Sequence, residues 1–249
     1  MRCIGLLGGM SWESTAVYYR RLNEVVRDRF GGLQSASILM RSVNFADIVA
    51  LQKAGQWDKA AEILAADARA LEDAGADCIL ICTNTMHILA DAIQAAISIP
   101  LLHIADTTGE ALRAAGAKKP LLLATRYTME QAFYRDRLAQ KYGIEAVVPA
   151  EADRGLVHDV IFEELCCGVV KETSRAAYLD IIARAGGDID CVILGCTEIG
   201  LLLDQACVPL KVFDTTLIHA DAAVDFATGA ARAEPAGAER SFALESAVG

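Results

Sequence analysis

Asp77-Cys78-Ile79-Leu80-Ile81-Cys82-Thr83 recurs later in the chain as Asp190-Cys191-Val192-Ile193-Leu194-Gly195-Cys196-Thr197, with one residue more in the second copy. Each copy starts on an acid, runs through apolar residues without a polar break and ends on Cys-Thr. A run that is apolar at every position reads as a strand covered on both faces, as in a parallel sheet packed between helices. Two further pairs keep the same order. Leu6-Leu7-Gly8-Gly9-Met10-Ser11-Trp12 aligns with Leu121-Leu122-Leu123-Ala124-Thr125-Arg126-Tyr127, carrying Tyr19-Arg20 onto Tyr134-Arg135. Pro100-Leu101 ending in Asp106-Thr107-Thr108 matches Pro209-Leu210 ending in Asp214-Thr215-Thr216. The Cys-Thr and Asp-Thr-Thr endings lie outside the apolar runs, so shared strand composition does not account for them. Internal self-similarity of this kind signals a duplicated structural unit.

Working outward, the short apolar runs Cys3–Leu7, Ser37–Val43, Asp77–Cys82, Pro100–Ala105, Pro120–Thr125, Ile144–Val148, Asp190–Cys196 and Pro209–Phe213 read as strands. Longer amphipathic stretches separate them: Ser11–Arg29, Trp57–Ala74, Met129–Lys141, Asp153–Leu165 and Thr173–Arg184. Strand and helix in alternation define an α/β fold with parallel sheets. The expectation is two pseudo-symmetric lobes, each a parallel β-sheet flanked by helices, with the active site in the cleft between them. The first lobe takes residues 1–114 and 213–232, because the helical pattern Thr215–Ala231 can pack back on it, and the second takes residues 115–212. Residues 233–249 carry Ala, Gly, Pro and charge with weak periodicity and are expected to be loosely ordered.

Composition sets the outer bounds. A chain of 249 residues that is 54% hydrophobic can bury a sizeable core. Its formal charge of -10 repels phosphate backbones and anionic lipid, which argues against nucleic acid or a membrane surface as partner. Glu13 interrupts the N-terminal apolar stretch before a signal peptide is complete, and no apolar run is long enough for a membrane span, so a cytoplasmic protein with free thiols is expected.

Ligands of open parallel α/β sheets bind beyond the carboxyl ends of the strands. Cys82 and Cys196 each stand at such an end, with Thr83 and Thr197 next and a helical pattern following. Backbone N–H groups at a helix start favour thiolate, so each cysteine is expected to be acidified below the usual thiol range and reactive. A two-fold relation between lobes sets equivalent strand ends face to face across the cleft. Two thiols flanking one carbon, one ionised and one protonated, can remove a hydrogen from one face and return one to the other. The same residues read more simply as buried core thiols, and Cys78 and Cys191 are read so. No His lies at ligand spacing from these cysteines, so no metal site is expected.

The motifs Gly5-Leu6-Leu7-Gly8-Gly9-Met10-Ser11-Trp12-Glu13-Ser14, Cys82-Thr83-Asn84-Thr85-Met86-His87 and Gly195-Cys196-Thr197-Glu198-Ile199 resemble the aspartate/glutamate racemase family from residue 1 to about residue 228. Gln52, Arg126-Tyr127-Thr128-Met129-Glu130-Gln131 and Ile161-Phe162-Glu163-Glu164-Leu165-Cys166 bring the chain nearest to the bacterial broad-specificity amino-acid racemases. The resemblance implies an isomerase with Cys82 and Cys196 as the catalytic acid–bases, no pyridoxal phosphate or other cofactor, an amino-acid substrate and a homodimer. It also implies a substrate site lined by Met10, Gln52, Thr83, Asn84, Thr85, Thr125, Thr197 and Glu198, with Cys166 near the side-chain pocket. Aspartate-selective relatives tend to place basic residues near Ile48 and Cys166, and this chain has neither. A neutral or broad side-chain preference follows, with homoserine, methionine or leucine as candidates. Maleate isomerisation, hydantoin racemisation, malonate decarboxylation and a non-catalytic ligand-binding role stay open at this point.

Other residues carry weaker readings. Gly8-Gly9 lacks the sequence context of a nucleotide loop and reads as a tight turn or a close approach to a small carboxylate. His87 reads as a capping residue, and His103, His158 and His219 give no signal. The charge of Glu198 would raise the Cys196 pKa. Trp12, Tyr18 and Tyr19 read as core or lobe contact.

Overall fold

A computed structural model describes residues 1–230. The expected loose tail, 233–249, lies outside the described residues. The strands are β1 (Ile4–Gly8), β2 (Ile38–Ser42), β3 (Cys78–Ile81), β4 (Pro120–Leu123), β5 (Cys191–Leu194) and β6 (Lys211–Asp214). The helices are α1 (Trp12–Phe30), α2 (Phe45–Lys53), α3 (Trp57–Asp73), α4 (Ala90–Gln94), α5 (Ile104–Ala114), α6 (Arg126–Glu130), α7 (Ala132–Tyr142), α8 (Glu151–Glu163), α9 (Glu172–Ala185) and α10 (Thr215–Thr228).

Two parallel three-stranded sheets result, ordered β2-β1-β3 and β4-β5-β6. Strands β1, β3, β4 and β5 are buried at every position, as their unbroken apolar sequences require. One face of the first sheet packs Leu6, Leu80 and Cys82 on Tyr18 and Leu22 of α1 and on Ala220, Ala223 and Val224 of α10. The other face packs Leu7 and Ile81 on Ile48 of α2, Leu64 and Ala68 of α3, and Met86. The last helix therefore packs on the first sheet and is tied to α1 by a two-pronged Arg21–Asp221 pair at 2.7 Å. Around the second sheet, Leu122, Val192 and Ile193 pack with Tyr134, Val157 and Tyr178, and α5 adds Ile104, Ala105 and Leu112 to this core. Phe213 and Asp214 pair with β5 in the second sheet.

Two expected strands shrink to single bridges. Pro100–Ala105 keeps only Ile79↔Leu101, because His103 already caps α5, its ring accepting Ala105 N–H at 3.1 Å. Ile144–Val148 keeps only Leu121↔Val147 before Pro149 ends the run and α8 begins. The expected Met129–Lys141 helix breaks at Gln131, whose extended ψ of 149° separates α6 from α7. Trp12 and Tyr19, expected inside, are 67% and 53% exposed, whereas Tyr18 is fully buried. One helical residue rotates the side chain by about 100°, so adjacent tyrosines cannot share a face. No helix among the described residues is long and apolar enough to cross a membrane.

Three helix caps stand at carboxyl ends of strands and so face the cleft. Ser11 after β1 caps α1, Thr125 after β4 caps α6, and Asp214 after β6 caps α10 by accepting Thr216 N–H at 2.8 Å. Gly9 makes the first of these turns possible. Its φ is +85°, and a Cβ there would stand 2.3 Å from the Val43 carbonyl oxygen. Its N–H is taken by Thr15 Oγ1 at 2.8 Å, so the turn reading holds and this amide is not free for a carboxylate. Gly9→Ala should cost on the order of 1–3 kcal/mol and lower Tm by roughly 2–4 °C per kcal/mol. Calorimetry checks this, and an unchanged Tm contradicts it.

Candidate active site

The two Cys-Thr corners leave their strands differently. Cys82 follows β3 directly, whereas Gly195 separates Cys196 from β5. A Cβ on Gly195 would stand 2.5 Å from Leu122 Cδ1 and 3.2 Å from the Leu123 carbonyl oxygen, so the extra residue of the second copy sits tightly against β4. Both corners continue into short 3-10 turns, Thr85–Leu89 and Thr197–Leu201.

Between the corners lies one buried pocket. Met10, Gln52, Thr83 and Thr85 line it from the first lobe, and Thr125, Cys196 and Glu198 from the second. Phe45, Met86, Ile161, Phe162 and Cys166 complete an apolar side. The free space in it is about 20 Å³, room for about one water. Larger hollows, of about 340 and 450 Å³, lie on the surface by Lys119 and Ile181 and by Glu62 and Arg69, and neither is lined by Cys82 or Cys196.

Glu198 organises this pocket. Its Oε1 accepts hydroxyl hydrogen bonds from Ser11, at 2.6 Å, and from Ser14, both at the start of α1. Its Oε2 accepts from Thr197 Oγ1 at 2.7 Å and from the Cys196 thiol at 3.0 Å. Ser14 and Thr197 also touch each other. Burial alone would raise the Glu198 pKa, but hydrogen bonds from Cys196, Ser11, Ser14 and Thr197 outweigh it and hold the carboxyl below its ordinary range. The result is a buried carboxylate that ties the two lobes.

The thiols respond in the opposite sense. Burial pushes Cys196 far up, and the Glu198 charge adds to it. Burial alone pushes Cys82 up. Cys166 rises through burial and then through Glu198, which it faces alongside Cys196. The expected acidification is thus reversed, because 3-10 turns of five residues supply little helix dipole while burial removes most of the water that would solvate a thiolate. The expected effect of Glu198 on Cys196 has the expected sign.

Three further contacts fix the first corner, the first two of them against other parts of the chain. Thr85 Oγ1 meets Thr125 Oγ1 at 2.9 Å and Thr128 Oγ1 at 3.2 Å, a hydroxyl cluster across the lobes. Asn84 Nδ2 donates to Thr215 Oγ1 at 3.0 Å, and Thr215 in turn donates to the Leu194 carbonyl at 2.9 Å. Gln52 Nε2 rests on Met86 Sδ at 2.9 Å. The Asn84 Oδ1 and Gln52 Oε1 atoms are buried without a hydrogen-bond partner. His87 holds the Thr83 carbonyl at 2.8 Å and accepts Ile104 N–H at 3.2 Å, the capping role expected of it.

Seven of the ten anticipated site residues therefore share one pocket wall. Thr197 joins them through Glu198, Asn84 faces Thr215, and Cys82 lies behind Thr83 in the first-lobe core. Sequence reading did not single out Ser11, Ser14, Thr128 or Phe45. A signal was present: Ser11-x-x-Ser14 and Thr125-x-x-Thr128 place hydroxyls three apart after the first strand of each half. Such pairs read as helix caps, and both also serve the cleft.

Comparison with known proteins agrees with this architecture. The Asp/Glu/hydantoin racemase family profile matches residues 7–223. The broad specificity amino-acid racemase RacX of Bacillus subtilis is 23% identical over 222 residues, 89% of this chain and 96% of RacX. A crystal structure of a candidate Asp/Glu racemase from Yersinia pestis superposes with a TM-score of 0.85 at 51% identity, covering 92% of this chain and all (100%) of that one. An aspartate racemase homologue from Pyrococcus horikoshii gives a TM-score of 0.80 at 34% identity, again over 92% and 100% of the two chains. With two parallel sheets, paired Cys-Thr corners and a profile match across nearly the whole described chain, this protein belongs to the Asp/Glu/hydantoin racemase family.

Proposed function

We propose that the chain is a cofactor-independent amino-acid racemase in which Cys82 and Cys196 exchange protons with opposite faces of Cα. The observation that carries this reading is the buried pocket where the Cys196 thiol, the Glu198 carboxylate and the Thr83, Thr85 and Thr125 hydroxyls converge, with Cys82 directly before Thr83 in the chain. A zwitterionic substrate brings an ammonium group that Glu198 can hold, with the free Gln52 Oε1 as a second acceptor. Placing that cation on Glu198 cancels the charge that keeps the Cys196 proton in place. Hydroxyls of Thr83, Thr85, Thr125 and Thr197 and the Asn84 amide bind the α-carboxylate. They stabilise the charge that builds on it when Cα loses its proton.

In one direction a thiolate takes the α-hydrogen and becomes a thiol, while the opposite thiol gives its proton to the other face and becomes the thiolate. The reverse direction exchanges the roles. No lysine stands among the residues described as lining the pocket, which fits chemistry without an aldimine-forming cofactor. The absence of Lys and Arg from that lining, together with the ionised Glu198, favours neutral side chains over aspartate or glutamate.

We propose a homodimer in the cytoplasm. Trp12, Ala16 and Tyr19 form an exposed stripe on α1 suited to a second copy. All eight cysteines are unpaired, as a reducing compartment maintains.

Incubation of single enantiomers followed by chiral chromatography should show racemisation that falls by at least about 10²-fold in each of Cys82→Ser and Cys196→Ser. Racemisation at the parent rate by either variant refutes the two-thiol scheme. Glu198→Gln should move the Cys196 ionisation to lower pH, since the negative charge opposing the thiolate is gone. Peptide-resolved iodoacetamide labelling against pH reads this directly, and an unchanged or higher midpoint contradicts the role given to Glu198.

A further inference from the structure

Five rings follow one another across the rim of this pocket. Trp57 meets Tyr127 edge-on at 5.7 Å, Tyr127 meets His158 at 6.0 Å, His158 meets Phe162 at 4.8 Å, and Phe162 stacks on Phe45 at 6.4 Å with 15° between planes. Phe45 and Trp57 open α2 and α3 of the first lobe, whereas Tyr127, His158 and Phe162 lie on α6 and α8 of the second. The band therefore crosses the lobe boundary twice. All five rings are half-buried, with the buried polar groups of the pocket beneath them. Outside the band, Arg126 and Glu130 border an open hollow of about 290 Å³ with Tyr127 and His158.

Only Phe45 and Phe162 of the band reach the pocket itself, where they stand with Met86, Ile161 and Cys166 on the apolar side. With free space of only about 20 Å³ the pocket cannot hold an amino acid as it stands, so the side chains that line it, Phe45 and Phe162 among them, give way to a ligand. The ligand's side chain then meets an apolar surface, since neither Arg126, which borders the outer hollow, nor Lys53, which acts on His158, lines the pocket.

We propose that Phe45 and Phe162 are the specificity-determining residues of this site: they part to admit the substrate and close on its side chain, selecting uncharged apolar side chains. This rests on the racemase reading above. The two rings act by shape and by excluding water, so their removal changes which amino acid is preferred without touching the acid–base groups.

The test measures kcat/KM for L-alanine, L-leucine, L-phenylalanine and L-aspartate with the full-length parent and with Phe45→Leu, Phe162→Leu and Phe162→Ala. In at least one variant at each position, the leucine-to-alanine ratio should change by about tenfold or more, the scale of discrimination that a change in an apolar pocket produces. Aspartate should remain the poorest substrate of the parent. A parent that racemises while every variant alters all substrates by one common factor overturns the proposal and leaves the racemase reading standing. A parent that racemises none of the panel overturns that reading and the proposal with it. Binding gives a second readout, because Trp57 sits in the band and the other tryptophan of the chain is Trp12. In a Trp12→Phe background, leucine should shift Trp57 emission at concentrations where aspartate does not. Equal titration by both amino acids overturns the selectivity.

Discussion

A carboxylate sealed from water must be matched by donors or it will not stay ionised. Glu198 is matched by four, two from each lobe: Ser11 and Ser14 at the start of α1, Thr197 and Cys196 from its own corner. Much of the site follows from that requirement. The start of α1 must reach the second corner, which Gly9 permits by turning the chain sharply after β1. The Cys196 thiol must keep its proton while the charge beside it is uncompensated. A positively charged substrate group is the natural counter-ion, so the same event that fills the pocket relieves the thiol. In the proposed reaction, binding of the substrate and ionisation of the Cys196 acid–base are in this way one electrostatic problem.

The fold was legible because its determinants are local and repeated. Apolar runs such as Cys78–Ile81 and Cys191–Leu194 have no solvent-facing residues to alternate, so they declare strands buried on both faces. Their Cys-Thr endings mark the carboxyl edge of each sheet, the edge at which open α/β sheets generally take their ligands. Where a run was over-read, competing local chemistry explains it. His103 starts a helix inside Pro100–Ala105, and Pro149 closes Ile144–Val148. Tyr19 is exposed because the helical period gives the core to Tyr18, which sequence identity alone could not separate.

The site was less legible where chemistry depends on contacts distant in sequence. The sign of the Cys82 and Cys196 shifts depends on complete burial, and a motif cannot report how deep a strand end sits. Ser11 and Ser14 look like ordinary cap residues until the second lobe brings Glu198 to them. The aromatic band joins residues from four helices and has no sequence signature at all. The Cys-Thr endings, by contrast, stand out in the sequence because one copy repeats the other.

The claim on which everything turns is that the two faces of one carbon are served by two different thiols. Turnover of a single L-enantiomer in heavy water, stopped early and followed by mass spectrometry of the separated enantiomers, examines it most directly. Proton transfer by two groups that exchange with solvent places deuterium at Cα of the newly formed D-enantiomer and leaves the remaining L-enantiomer unlabelled. Equal early labelling of both enantiomers, or a D-enantiomer that keeps the original hydrogen, means that one group serves both faces and contradicts the account.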